Sequence, residues 1–574
     1  MNLDFAAPKS TRLHGVPLQV KRIQFSSLGN TPKPGQAEGI NNLRATSAIH
    51  GAWIYMLFQI ELLIRNANIL TMNPQTPQAQ AMAITNERIL AIGTEAEIDP
   101  LNAYASEVLD CEGRTVMPGF IDTHAHLAGL GKKLLHLDLG ESTSAEEAIA
   151  LVAERAKSSS PGKLIIGYNW DESNWTAPRY LTKADLDPVV PDNPVILIRV
   201  CGHLISVNST ALAQLTLNSE NPGIDRDPKT NEPTGVLRDI PINTNEFGAD
   251  EEDLSQVLLV ACRYANSVGV TSVHENLYLR QLPFINEYLK LRQKNLLTVR
   301  VYANLESKLF DLLAGLGVRS GLGDAYFRLG GVKVFIDGSL GAQTAAISQP
   351  YRDKPDSDGL IVLAEGDFEF LLHTANELGL QVSTHAIGDR AIELVVRSHE
   401  KVSTAAIVKA LRHNIIHAEL LTAPLIKRVK ALDMLLLLQP NFVHKWGLPK
   451  GMYDARLGPE LAQQLNNFRL ILDAGIPSAF GSDCMPMDPF YGIFSAVTHP
   501  NPAIRITVEE ALRLYTADAA YASFEEQLKG TLAPGMLADF IILSANPLTI
   551  PPEELRGVKV LQTVVGGKTV YSSL

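Results

Sequence analysis

The sequence predicts an α/β protein: a (β/α)₈ TIM-like barrel with an inserted lobe, plus a small β-sandwich domain formed from N- and C-terminal segments. Three observations predict this architecture. Short β-branched runs alternate with helical patterns through the middle of the chain, and both ends consist of short strands and turns. One connection, at about residues 135–263, is too long for a single crossover and predicts the inserted lobe.

The composition is that of an ordinary globular protein. The chain has 574 residues, of which 46% are hydrophobic and 20% charged, and its formal net charge is -12. This acidic balance, with no Lys/Arg block, argues against nucleic-acid binding. No apolar run approaches the ~20 residues that a membrane span needs, which argues against a membrane partner. The four scattered cysteines contain no CxxC pair and favour a reducing compartment, and we therefore expect a cytoplasmic protein.

Residues 1–59 differ from the rest of the chain. They contain Ser, Pro, Gly and six basic residues, with only Asp4 and Glu38 as acids and no sustained periodicity. We interpret them as a disordered extension or a mis-assigned start, with Met56 as a candidate initiator. A transit peptide is the alternative, because the segment is basic and poor in acids.

The sequence patterns at both ends of the remaining chain predict β-strands. Strand patterns occupy 60–70, 78–85 and 88–93 near the start, and 539–543 and 559–571 near the end, with Gly and Pro turn signals between them. We predict that residues 60–115 and 529–574 form one composite β-sandwich domain.

Residues 116–528 are predicted to form the barrel. Capping-box patterns at Ser144–Glu147 and Thr507–Glu510 mark two helix starts. The inserted lobe, about 135–263, carries two strand patterns of its own, at 163–169 and 195–201. The eight candidate barrel strands are 119–126, 270–276, 298–304, 331–337, 381–386, 414–419, 434–439 and 476–483.

His124 and His126 end the first candidate strand as a His-x-His pair. Side chains alternate along a strand, so both imidazoles point the same way and provide half of a transition-metal site. The alternative is that the pair consists of incidental polar residues.

Further candidate ligands lie at the ends of other strands. Lys333 is on the fourth strand, and His385, His417 and Asp483 end the fifth, sixth and eighth. The carboxyl ends of barrel strands form one rim, so these side chains are expected to converge with the His-x-His pair. Nitrogen and carboxylate ligands favour Zn²⁺, with Mn²⁺, Co²⁺ and Ni²⁺ as alternatives.

Lys333 is an unexpected neighbour for metal cations, because a protonated lysine is itself positively charged. Burial and nearby positive charge lower the pKa of a lysine and favour the neutral amine. A neutral amine takes up CO₂ to form a carbamate, whose two oxygens can bridge two metals. The alternative is an uncarboxylated Lys333 that pairs with Asp337 or Asp483 in a one-metal site.

The order of these ligands along the strands resembles that of the amidohydrolase superfamily. Five segments narrow the resemblance to amidohydrolase family 3, the branch of YtcJ-like proteins and N-substituted formamide deformylase, over about residues 60–574. Ile416 before His417 and Cys484 after Asp483 depart from the usual pattern of that branch. The segments are 202–209 (GHLISVNS), 334–341 (VFIDGSLG), 384–391 (THAIGDRA), 481–483 (GSD) and 529–540 (KGTLAPGMLADF).

The resemblance implies roles for the candidate residues. His124, His126 and Asp483 would bind the more buried of two Zn²⁺ ions, His385 and His417 the more exposed one, and a carboxylated Lys333 would bridge them. A metal-bound hydroxide would attack the carbonyl, with Asp483 as general base and then general acid. His203 would donate a hydrogen bond to the oxyanion, or alternatively hold the insertion together.

Four further residues are candidates to contact the substrate: Trp170, Asp171, Asp337 and His444. Trp170 and Asp171 could equally anchor the core of the lobe, and His444 could be a packing or surface residue.

The expected substrate is a small amide or N-substituted formamide, hydrolysed at a carbon–nitrogen bond outside peptides. Alternatives are a deaminase or an ester or lactone hydrolase at the same site, and a non-enzymatic scaffold of the same fold. The resemblance also suggests a homodimer.

Overall fold

The computed structural model describes residues 59–172, 175–199, 204–238, 240 and 253–574. The predicted N-terminal extension therefore lies outside the described residues, apart from Gln59. His203 lies outside them as well.

Eight parallel strands, each hydrogen-bonded to the next along the chain, form the barrel. The hydroxyl of Thr123 donates to the carbonyl of Phe480 at 2.8 Å and so joins the first strand to the eighth. The predicted (β/α)₈ fold is confirmed. Numbered first to eighth, the strands are Phe120–Ala125, Val270–Leu277, Arg300–Glu306, Phe327–Phe335, Val382–Ala386, Asn414–His417, Leu435–Leu438 and Ser478–Phe480.

Helices follow the barrel strands and bury their apolar faces in the same core. The predicted capping box of Thr507 is present: its hydroxyl accepts from the Glu510 N–H, and the Glu510 carboxylate accepts from the Thr507 N–H. None of the described helices combines the length and apolarity needed to cross a lipid bilayer. The helices outside the terminal segments and the lobe are Leu127–Leu135, Leu254–Ser267, Pro283–Gln293, Phe310–Gly315, Glu365–Leu378, Asp389–Val402, Ala405–Leu411, Ala423–Ala431, Asn441–Trp446, Met452–Leu457, Pro459–Ala462, Phe468–Asp473, Pro489–Val497, Val508–Leu514 and Ala517–Ala522.

Two sheets near the chain ends share one core: one comes from the N-terminal segment alone, and the other combines strands of both terminal segments. Their shared core contains Ile64 and Ile84 from one sheet and Val116, Phe540 and Val564 from the other, so the terminal segments form a sandwich. In hydrogen-bonded order, one sheet contains Arg88–Gly93, Ala81–Thr85, Ile60–Arg65 and Ala105–Asp110, and the other contains Lys568–Ser572, Val560–Val565, Phe540–Leu543, Thr115–Pro118, Asn68–Leu70 and Gln78–Ala79. A short helix, Glu95–Ile98, precedes Ala105–Asp110.

The inserted lobe has its own mixed sheet and its own core. Its helices are Ala145–Lys157, Lys183–Leu186 and Ser209–Leu212. The helix Leu254–Ser267, most of which falls inside the predicted lobe, packs into the barrel core instead. In hydrogen-bonded order the lobe strands are Ile224–Arg226, Pro233–Arg238, Leu204–Val207, Val195–Arg199, Ile165–Trp170 and Leu137–Asp138.

A buried ion pair joins the barrel to the sandwich. Arg300, at the start of the third barrel strand, donates from Nε and Nη2 to the two carboxylate oxygens of Asp539, at 2.6 and 2.9 Å. The two side chains are 1% and 4% exposed. Asp539 also accepts from the Gly566 N–H at 2.8 Å. Removing one partner would leave the other charge buried without compensation.

We therefore expect the Asp539→Asn substitution to lower the free energy of unfolding by about 3–5 kcal/mol, since the Arg300 charge stays buried. Scanning calorimetry should show this as a lower Tm. Glu154→Gln is the matched control: its pair with Lys157 is 72–73% exposed and should contribute nothing measurable. Equal Tm values for the two variants would contradict the assignment.

Candidate metal centre

The structure brings all six predicted ligand positions to the rim at the carboxyl ends of the barrel strands. Lys333, His385 and His417 lie in the last residues of the fourth, fifth and sixth strands, and His124 lies near the end of the first. Asp483 lies just beyond the eighth strand. His126 follows the end of the first strand directly, so all six side chains share one rim.

Asp483 lies against both imidazoles of the His-x-His pair. Its Oδ1 is 3.2 Å from His126 Nε2 and 3.6 Å from His124 Nε2. One ligand atom from each of the three residues lies within 4.8 Å of the other two, a spacing that could hold a metal ion.

The other two imidazoles continue this cluster. The His417 ring centroid is 5.1 Å from that of His124 and 4.5 Å from that of His385. His417 therefore connects the His-x-His pair to His385, and the four rings form one continuous group.

Lys333 is buried close to these rings. The side chain is 1% exposed, and among the described residues its Nζ has no hydrogen-bond partner. Burial lowers the pKa of Lys333 to about 7, although the charge of Asp483 acts to raise it. A substantial fraction of the amine is therefore neutral at neutral pH.

Burial also keeps three of the imidazoles neutral. It lowers the pKa of His385 to about 3, together with the nearby Lys333, and it lowers the pKa values of His124 and His417 well below the ordinary range. For His126, burial acts in the same direction but is outweighed by the hydrogen bond and charge of Asp483, which raise the pKa. Neutral imidazoles are the form that binds metals.

These side chains fit a divalent metal site. The donor set is imidazole nitrogen and carboxylate oxygen, which suits Zn²⁺ and related ions. Two buried polar atoms, Lys333 Nζ and His417 Nδ1, lack a hydrogen-bond partner within the described part of the chain. Buried polar atoms without protein partners are expected where a ligand completes the site.

Asp122 connects the two strands that carry the His-x-His pair and Asp483. Its carboxylate accepts from the N–H groups of His124 at 3.1 Å and Ser482 at 2.9 Å, and from the Ser482 hydroxyl. The Asp483 N–H in turn donates to the His124 carbonyl at 2.7 Å. Sequence reasoning missed Asp122, although its position two residues before His124 places both side chains on one face of the strand.

Asn276, at the end of the second strand, was also missed. Its side-chain amide lies 2.9 Å from His124 Nδ1. The same NH₂ donates to the Ala125 carbonyl at 3.2 Å, so Asn276 fixes the orientation of the His124 ring.

Asp337, predicted to contact substrate, is occupied by the backbone. Its carboxylate accepts from the N–H groups of Ala346, Ile387 and Gly388 at 2.9–3.0 Å. Its Oδ1 is 3.6 Å from His385 Nε2. These bonds tie the segments after the fourth and fifth strands together, so Asp337 positions His385 and offers no free face to a substrate.

The other predicted substrate residues lie elsewhere. Trp170 is fully buried in the core of the lobe, and its indole N–H donates to the Leu197 carbonyl at 3.2 Å, so it is a core anchor and not a pocket wall. Asp171 pairs with Arg199 at 3.0 Å. The His444 ring packs on Phe494 with centroids 4.7 Å apart.

His444 shares a helix with a residue that contacts the cluster, but has a different ring partner. Phe442, two residues earlier on the same helix, stacks on His417, and positions two apart on a helix face different sides. The structure favours the alternative of a core anchor for Trp170, and contact of His444 with a substrate stays a prediction.

Comparisons with known proteins agree with this geometry. A model of the amidohydrolase family matches residues 107–571. The chain is 32% identical to the putative amidohydrolase YtcJ of Bacillus subtilis, over 88% of this chain and 98% of that protein. It is 28% identical to N-substituted formamide deformylase of Arthrobacter pascens, over 89% and 98%.

A solved structure has the same fold. The crystal structure of an uncharacterized metal-dependent hydrolase from Pyrococcus furiosus aligns with a TM-score of 0.71 and 30% sequence identity, covering 85% of this chain and all of that one.

Proposed function

The chain belongs to the amidohydrolase family, and from this membership we propose that it hydrolyses a carbon–nitrogen bond outside peptides. The substrate class is a small amide or N-substituted formamide, and bound divalent cations take part. The observation that carries the proposal is the convergence of four imidazoles, a buried amine and Asp483 at one barrel rim.

Two cations, preferably Zn²⁺, are assigned to this rim. His124, His126 and Asp483 would hold one, His385 and His417 the other, and a carboxylated Lys333 would bridge them. The unpartnered Nζ of Lys333 and its lowered pKa support carboxylation. A one-metal site with an uncarboxylated lysine is the alternative.

The chemistry divides between the cations and the side chains. When bound, such cations lower the pKa of water and polarise a carbonyl oxygen. Asp483 would accept the proton of the attacking water at a carboxylate oxygen and pass it to the leaving nitrogen. Its placement 3.2 Å from His126 Nε2 keeps this oxygen at the rim. His203 keeps its proposed role as a donor to the oxyanion.

The amide class is supported by the name of one relative. It is also supported by the candidate proton donor: an amide's leaving nitrogen must gain a proton, which Asp483 would supply. N-substituted formamide deformylase, 28% identical over most of both chains, is named for an amide substrate. The same rim could serve a deaminase or an ester or lactone hydrolase. A panel that measures released amine, ammonia and acid separates these chemistries, and release of ammonia alone from ring-amino compounds would favour the deaminase.

A non-enzymatic scaffold of the same fold would not need metal ligands, so the presence of all six candidate ligands at the rim argues against it. Negligible bound metal, combined with no activity after metal addition, would favour that reading. Cytoplasmic location and a homodimer remain predictions of the sequence.

We expect Asp483→Asn to reduce kcat by roughly 10²–10⁴-fold, because the amide cannot accept and return a proton. Steady-state kinetics, metal content and Tm should be measured together, with Tm near that of the parent. Asp473→Asn is the control, since Asp473 is an exposed helix residue paired with Arg469. Parental turnover in Asp483→Asn would remove Asp483 from this role.

We expect Lys333→Ala to lose bound metal, because the proposed bridge is gone. Short carboxylic acids such as propionate should restore part of the metal content and activity by filling the vacated volume with a carboxylate. Elemental analysis is the readout, with the exposed Lys157→Ala as control. Full metal content in Lys333→Ala would contradict the bridging assignment.

A further inference from the structure

An aromatic wall borders the candidate metal centre on the side of the second and fourth strands. The Tyr278 ring stacks on His126 with centroids 5.6 Å apart and planes 8° apart. Phe335 lies 6.2 Å from Tyr278 and 5.0 Å from His385. Both Tyr278 and Phe335 are only partly buried, so a ligand at the rim would meet flat apolar surface beside the proposed metal ligands.

The sequence pattern explains why Phe335 belongs to this wall. It lies two residues after Lys333 on the same strand, so the two side chains point to the same side. The Lys333 Nζ is 4.9 Å from the Phe335 ring centroid.

A cavity of about 460 Å³ opens next to Tyr278. This volume is within the range of small-molecule sites, about 300–1,000 Å³. It is lined by Tyr278, Leu279, Arg280, Glu306 and Lys308. Because Tyr278 lines the cavity and its ring stacks on His126, a molecule in the cavity would be one aromatic ring away from a proposed metal ligand.

Among the described residues that line this cavity, Arg280 makes no ion pair, although its charge acts on the Glu306 carboxylate. Lys308 pairs with Glu306 at 3.0 Å, and Glu306 also accepts from the Leu279 N–H at 2.9 Å. Arg280 is exposed, and in the described part of the chain no carboxylate lies within ion-pair distance of it. A guanidinium has a planar fork of donors that matches a carboxylate.

We propose that the substrate is an amide whose aromatic substituent stacks on Tyr278 and carries a carboxylate that Arg280 binds. This inference rests on the proposed function and specifies its substrate class. Hydrolysis consumes one water: the carbon–nitrogen bond breaks, the acyl carbon gains the hydroxyl, and the amine nitrogen gains the hydrogen. Binding by Arg280 would orient the acyl group towards the rim.

The test compares 4-formamidobenzoate with its uncharged methyl ester as substrates of the zinc-loaded protein. Arg280→Ala should lower kcat/KM for the acid by about 10-fold or more, mainly through KM, and leave the ester unchanged. Arg280→Lys should restore part of the loss, since it keeps the charge without the fork. Arg65→Ala is the matched control, because Arg65 is an exposed arginine of the sandwich. An equal effect on both compounds, or none on the acid, would overturn the inference.

A binding measurement separates failure of this inference from failure of the proposed function. If neither compound is hydrolysed, the panel described above decides the proposed function, and titration calorimetry with the amine products decides this inference. The parent should bind 4-aminobenzoate about 10-fold more tightly than Arg280→Ala does, and should bind aniline more weakly than 4-aminobenzoate. Equal binding of 4-aminobenzoate by parent and variant, or no binding by the parent, would overturn it.

Discussion

The buried carboxylate of Asp122 joins the two ends of the barrel sheet. It accepts from the backbone of His124 on one side and from the backbone and hydroxyl of Ser482 on the other. His124 and Asp483 are therefore fixed relative to each other although 358 positions separate them in the sequence. The other ligands depend on the same closure, because strand ends converge at one rim only when the sheet closes on itself.

The rim concentrates groups that are costly to bury. Lys333 and the four imidazoles lose most of their hydration, and Lys333 Nζ and His417 Nδ1 have no hydrogen-bond partner among the described residues. Desolvation of an unpaired ammonium costs several kcal/mol, and the lysine responds with a lowered pKa. Groups held in their neutral forms are ready to bind a cation or to take up CO₂, so the destabilisation is an expected property of a preorganised ligand site.

The sequence predicted the barrel and the positions of the candidate ligands because both follow from local patterns. The four histidines and Asp483 lie at the ends of recognisable apolar runs, Lys333 lies within one, and barrel topology brings these strand ends together. The supporting contacts could not be predicted in the same way. That Asp122 bonds to Ser482, and Asp337 to the backbone of Ala346 and Gly388, depends on which segments become neighbours in space.

Side-chain direction and domain limits also depend on packing that the sequence pattern does not specify. Trp170 looked like a pocket residue because an aromatic beside an acid fits either a site or a core, and the lobe buries it. His444 follows a strand end, yet its helix turns it towards Phe494. The helix Leu254–Ser267 carries an apolar face that suits lobe and barrel equally, and only packing assigns it to the barrel.

Anomalous diffraction from crystals grown with zinc and bicarbonate shows whether this rim binds metal. We expect two zinc peaks roughly 3.5–4 Å apart, one beside His124, His126 and Asp483 and one beside His385 and His417, with density extending from Lys333 Nζ between them. Absence of any zinc peak at this rim, in crystals that contain zinc elsewhere, would contradict this expectation.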